Sequence, residues 1–213
     1  MEKRTAEIRK TTAITINALV RLLEIRNVET SDHSKRTKAM MQLLCDELQK
    51  QDDASYHLSE REIQELVDTA PLHDIGKVGI PDSILLKPGK LTREETERMQ
   101  QHVLKGVEAL DYGSEQGKAS ISFIETARSL IATHHEWYDG SGYPKGLKDS
   151  SIPLSGRLMA VIDVYDALTS KRVYKDALSH EQAIQVMREE AKRHFDPVVF
   201  QTFLTIADKL HRH

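Results

Sequence analysis

Apolar positions recur along this chain at the three- and four-residue spacing of helices, interrupted by polar segments rich in Gly and Pro. From about Ala6 to Arg26, residues Ile8, Ile14, Ala18, Val20, Leu22, Leu23 and Ile25 fall among charged positions with no Gly or Pro, which predicts an amphipathic helix. Its apolar face needs a partner, either the body of its own domain or a second subunit. A second helix is predicted from near Ser34 to Gln51. A third begins at Ser59, whose hydroxyl caps the helix while Glu62 answers as a capping box, and it delivers Leu66, Ala70, Leu72 and His73.

Three glycines and two prolines between Gly76 and Gly89 then break helical continuity, placing a loop directly after His73. Thr92 and Glu95 form another capping box, opening a helix that carries Met99, His102, Val103, Gly106 and Leu110. A further helix runs from about Ser120 to near His135. The polar stretch Trp137 to Pro153 reads as an ordered loop, followed by a helix over about Leu154 to Leu168. Ser179 with Gln182, and Asp196 followed by Pro197, start the last two helices. The expected fold is all-α.

Composition narrows the function. A chain of 213 residues that is 39% hydrophobic can bury a core as one medium-sized domain with a helical extension. With 30 Lys plus Arg against 33 Asp plus Glu, the net charge of -3 provides no general field for an extended nucleic acid. An anionic substrate must therefore be held locally. Cys45, the only cysteine, rules out an intrachain disulfide, and its apolar neighbours Met40, Met41, Leu43 and Leu44 predict burial. No apolar run approaches the roughly 20 residues that span a bilayer, so the expected location is cytoplasmic.

Five of the ten histidines, His33, His73, His102, His134 and His135, sit in or beside ordered motifs. A single helical histidine is more often a satisfied core or surface residue than a ligand, but five with carboxylates nearby shift that balance. On a helix, His73 and Asp74 would point about 100° apart and could reach two metals, or bridge them through the carboxylate. By the same geometry His134 and His135 would diverge towards neighbouring ions. Asp163 lies in an apolar helical segment, where a carboxylate is costly unless paired or metal-bound. A His and carboxylate set without thiolates favours iron, manganese or similar first-row ions over a structural zinc.

The string His73-Asp74-Ile75-Gly76-Lys77 resembles the signature of the HD phosphohydrolases. The run from His134-His135-Glu136-Trp137-Tyr138-Asp139 through Gly140-Ser141-Gly142-Tyr143-Pro144 resembles the extended HD-GYP signature. The resemblance extends from about Ile25 to Phe203, so the expected fold is a compact helical bundle of the HD-domain type with an additional N-terminal amphipathic helix. Residues 1–26 would form that helix, for signalling or dimerisation, and residues 27–213 the HD-GYP phosphodiesterase domain.

The resemblance implies His33, His73, Asp74, His102, His134, His135 and Asp163 as metal ligands. Glu29 stands four residues before His33, as in relatives that resemble a three-metal subgroup, and is expected to help hold a third ion. Asp74 and Lys77 are the expected catalytic groups, with Lys77 near the scissile phosphate, and Arg172 and Lys175 are expected to contact substrate phosphates. Gly142, Tyr143 and Pro144 would shape a loop near the site and offer a surface to a diguanylate cyclase (GGDEF) partner. The implied reaction opens cyclic di-GMP to pGpG and on to GMP, using two or three first-row divalent ions, iron or manganese. Two metals about 3.5 to 4 Å apart would bind a phosphate oxygen and activate a water. The alternatives are an HD phosphohydrolase acting on another nucleotide such as cyclic GMP-AMP, and a non-catalytic module that binds a cyclic dinucleotide or a cyclase. A homodimer through the first helix is also expected.

Overall fold

The computed structural model describes residues 2–27, 33–115, 122–171 and 176–210, and among these it is helical with no strand. In chain order the helices are α1 (Glu2–Asn27), α2 (His33–Leu48), α3 (Glu60–Thr69), α4 (Asp82–Leu85) and α5 (Arg93–Glu115). There follow α6 (Ser122–Thr133), α7 (Leu154–Thr169), α8 (His180–His194) and α9 (Pro197–Leu210). Short 3-10 turns occupy Ala54–Tyr56, Ala70–Leu72, Ile75–Gly79 and Asp149–Ser151.

The starts are set by the expected caps. Ser59 with Glu62 and Ser179 with Gln182 both form reciprocal capping boxes. Thr92 and Glu95 exchange the same pair of bonds, at 2.7 and 3.2 Å. Asp196 accepts from the amides of Val198 (2.8 Å) and Val199 (3.1 Å), with Pro197 at the first helical position. Buried Asp196 also accepts from Tyr56 (3.1 Å) and pairs with Arg157, so the start of α9 is tied to the body.

The main core lies between α2, α3, α6, α7, α8 and α9, where Met41, Leu44, Leu48, Leu130, Leu158, Met159, Ile162, Phe195 and Phe203 are buried. Each such side chain contributes about 1.5–3 kcal/mol of burial free energy. Cys45 belongs to this core, and burial pushes its thiol up to about 12, so it acts as an apolar residue. A second cluster joins Ile16 and Val20 of α1 to Leu72, Ala127 and Ile131. Helix α1 thus packs on its own domain, while Ile14, Leu19, Leu22 and Ile25 remain exposed.

Two differences from expectation bear on the site. Helix α3 stops at Thr69 and does not carry His73, because Pro71 lies in the following 3-10 turn and cannot donate to a continuing helix. The Gly76-to-Gly89 segment is more ordered than a loop, forming a 3-10 turn and the single-turn α4. Glycine is required there: a Cβ on Gly76 would stand 1.8 Å from the His102 carbonyl oxygen and 2.5 Å from the Gly106 amide nitrogen. That close approach lays α5 directly against the His73-Asp74 segment.

Candidate metal centre

Five segments converge on one buried point. His33 opens α2, His73 and Asp74 lie between two 3-10 turns, His102 is on α5, His134 and His135 follow the end of α6, and Asp163 is on α7. Asp74 is central: its Oδ2 stands 3.2 Å from His73 Nε2, and its Oδ1 3.2 Å from His102 Nε2 and 4.0 Å from His134 Nε2. Ligand atoms of Asp74, His102, His134 and His135 all lie within 4.8 Å of one another. Asp163 falls outside that group, with its Oδ1 3.7 Å from His73 Nε2. The His33 and His73 rings are 5.3 Å apart.

The second ring nitrogen fixes each imidazole. Nδ1 of His73, His102 and His134 is bonded to the carbonyl three residues back, of Ala70 (2.9 Å), Met99 (2.8 Å) and Ile131 (3.0 Å). A carbonyl only accepts, so each Nδ1 carries a proton and each Nε2 is the atom left to face the centre. His33 is held differently, by Asp166 Oδ2 at 2.7 Å from its Nδ1. Arg36 in turn grips Asp166, with Nε 2.6 Å from Oδ1 and Nη2 3.2 Å from Oδ2.

The donor set fits a cation. Nε2 of His33, His73, His102 and His134, with Asp74 Oδ1, are buried and have no hydrogen-bond partner among the described residues. An unsatisfied buried polar atom costs about 1–3 kcal/mol, and a positive charge among these five would offset that cost. The cluster is consistent with a divalent metal-binding site.

Electrostatics supports the same reading. Burial alone would raise Asp74, yet Lys77, with Nζ 2.5 Å from Asp74 Oδ2, and His73 hold its carboxyl well below the usual range. Burial also opposes ionisation of Asp163, but His73 keeps that carboxyl below its ordinary value. Against the same burial, Asp74 and Asp163 raise His73 well above its own, a proton that a bound cation would replace. Burial drives His134 well below its ordinary value and His135 to about 4, leaving neutral imidazoles able to donate to a cation.

The loop after His135 closes on it. Tyr143 stacks on the His135 ring at 4.7 Å, and its amide donates to the His135 carbonyl at 3.1 Å. A Cβ on Gly142 would meet Trp137 N at 2.2 Å, so only glycine permits this fold-back. Buried Glu136 accepts from the amides of Lys145 (2.8 Å) and Leu147 (3.0 Å), pinning the far side of the loop that contains Pro144. The tip is also held to α8, where Tyr138 N donates to the His194 carbonyl and Arg193 Nε pairs with Asp139 at 3.1 Å.

His33, His73, Asp74, Lys77, His102, His134, His135 and Asp163 are therefore brought together, with Tyr143 against them. Glu29, Arg172 and Lys175 lie outside the described residues. The helical argument for divergence does not apply to either adjacent pair: both stand outside regular helix, and the His134 and His135 rings lie 4.0 Å apart in one group. Sequence reasoning gave no role to Asp166, Arg36 or Glu136. The available signal was Asp166 itself, one helical turn beyond Asp163 and facing the same centre.

An all-α fold with a buried His and Asp cluster of this kind is the arrangement expected of an HD domain, and residues 17–199 match that family. The chain belongs to the HD domain family, in its HD-GYP branch. It is 46% identical over 203 residues to a Vibrio cholerae protein named cyclic di-GMP phosphodiesterase, covering 95% of this chain and 41% of the relative. It is 42% identical to the Xanthomonas campestris cyclic di-GMP phosphodiesterase response regulator RpfG, covering 86% of this chain and 45% of the relative. A Vibrio cholerae 3'3'-cGAMP-specific phosphodiesterase 2 is 40% identical, with 93% of this chain and 35% of the relative covered. The chain thus spans less than half the length of these relatives. Among solved structures, the HDG"Y"P protein Bd1817 from Bdellovibrio bacteriovorus matches with a TM-score of 0.61 at 18% identity, over 83% of this chain and 51% of that one, a likeness of fold.

Proposed function

We propose that this chain hydrolyses the phosphodiester bonds of cyclic di-GMP, yielding pGpG and then GMP, with two or three first-row divalent ions, iron or manganese. The observation that carries the reading is the convergence of the buried Nε2 atoms of His73, His102 and His134 on the Asp74 carboxylate. Asp74, His102, His134 and His135 would hold one ion, and His33, His73 and Asp163 another, with Asp74 shared between them. Glu29 would join His33 at a third. Bound cations supply Lewis acidity toward a phosphate oxygen and make a water nucleophilic near neutral pH. Lys77 places a positive charge beside Asp74, where it would offset charge building on the phosphate. Arg172 and Lys175 would orient the substrate phosphates. Tyr143, stacked on His135, would limit the rotation of that ring.

Names of relatives support this substrate at 46%, 45% and 42% identity. A second reading, hydrolysis of 3'3'-cGAMP, is favoured by relatives so named at 40%, 31% and 30% identity. The division at residues 26 and 27 would separate a signalling helix from the hydrolytic body. Exposed Ile14, Leu19, Leu22 and Ile25 support a homodimer through α1, whereas a GGDEF partner at Gly142, Tyr143 and Pro144 rests on the resemblance alone.

The test is metal content together with turnover, on protein purified without oxygen and reconstituted with iron or manganese. Metal-dependent release of pGpG or GMP from cyclic di-GMP, faster than cleavage of 3'3'-cGAMP, is expected. Full metal loading with neither dinucleotide cleaved would overturn the reading.

A further inference from the structure

The last turn of α1 does more than cover the domain. All five N–H groups of Arg26 are engaged with the segment that follows the HD pair. Nη1 donates to the carbonyls of Lys77 (3.3 Å) and Val78, and Nη2 to that of Ile80 (2.7 Å). Nε and Nη2 both reach Asp82 Oδ1, at 3.2 and 2.8 Å. Lys77 and Val78 stand in the 3-10 turn Ile75–Gly79 and Ile80 follows it, so the guanidinium satisfies carbonyls where that turn ends. The same α1 turn holds a second wall. Glu24, 4% exposed, accepts from the Ser34 amide at 3.3 Å and from its hydroxyl, supplying a carboxylate to the start of α2 beside His33.

The Lys77 side chain, whose backbone oxygen Arg26 holds, reaches back to Asp74. We propose that Arg26 is a positioning residue for the hydrolytic reaction, fixing the Lys77–Asp82 segment and through it the Lys77 ammonium beside Asp74. The proposal rests on the phosphodiesterase reading above and adds to it an input: a shift of α1 along or about its axis moves the backbone that carries Lys77. Arg26 is uniquely suited, because lysine offers three donors from one point and cannot serve three carbonyls and a carboxylate together.

The experiment is a double-mutant cycle on the full chain, read as kcat and KM for cyclic di-GMP with bound metal measured in every variant, alongside amide hydrogen exchange over residues 77–86. Arg26→Ala is expected to lower kcat about 10- to 100-fold with KM and metal content near those of the unmodified chain. Arg26→Lys should fall between them. In the Lys77→Ala background the same Arg26→Ala change should cost less than about twofold, because its effect passes through the lysine. Exchange over residues 77–86 should quicken in Arg26→Ala and stay unchanged in α9. An equal loss in both backgrounds, or unchanged exchange over residues 77–86, overturns the proposal. A chain that cleaves no cyclic dinucleotide but shows faster exchange in Arg26→Ala would instead overturn the phosphodiesterase reading, and with it the role of Arg26 in catalysis.

Discussion

His73, His102 and His134 are oriented by the chain they belong to, and His33 is oriented by a distant one. For the first three, the carbonyl three residues earlier accepts the Nδ1 proton, a bond built into a helical or 3-10 turn. For His33, the acceptor is Asp166, 133 residues away on α7, itself held by Arg36 one turn along α2. The first arrangement cannot be lost without unwinding the turn. The second depends on how α2 seats against α7, and it gives the imidazole a charged acceptor in place of a neutral carbonyl.

That contrast is broken most severely on the side of the local histidines. His102→Ala removes a donor from the group of Asp74, His102, His134 and His135, and turnover is expected to fall more than about 1,000-fold with loss of one metal equivalent. Metal analysis and single-turnover hydrolysis on the same sample check this. Retained metal with retained turnover would remove His102 from the centre.

A smaller effect should follow when the backbone supporting the local class is displaced. In Gly76→Ala the new methyl would collide with the His102 carbonyl, and the collision is with backbone, so α5 must move as a unit. A shift of about 1 Å costs about 100-fold in rate, and overpacking here costs about 1–3 kcal/mol or more. Thermal unfolding should show a lowered Tm, and turnover should fall with it.

These particulars also explain what could be read from the sequence. Caps at Ser59, Thr92, Ser179 and Asp196 are local chemistry, and each start was legible within a residue or two. His73, His134 and His135 were legible because they sit in contiguous motifs, and His102 through the family resemblance. Pro71 carries the signal for the break, and a helix extended through Leu72 to His73 ignores it. Asp166, Arg36 and Glu136 were not legible as parts of the centre. Their roles follow from tertiary contacts between α2 and α7 and within a folded-back loop, and no spacing rule encodes those.

The His33 side offers a break that the local histidines do not, since its acceptor is a side chain. In Asp166→Ala the imidazole loses its acceptor and Arg36 loses its carboxylate, so affinity for the ion beside His33 should fall about 10- to 100-fold. Titration of the apo-chain with manganese should show one weakened site and one of unchanged affinity. Two equally weakened sites would mean that Asp166 supports the whole domain rather than His33.

The finest test keeps the shape of Asp166 and removes its charge. In Asp166→Asn the amide oxygen can still accept from His33 Nδ1, so the ring orientation is retained, while the negative charge behind the ring is lost. The expected change is a drop of about threefold to tenfold in affinity for that ion alone, smaller than for alanine. An asparagine variant that matches alanine would show that charge on Asp166, through His33 and Arg36, matters more than the hydrogen bond. A variant indistinguishable from the unmodified chain would show that orientation is all His33 needs, and that the two ways of holding a histidine in this centre are equivalent.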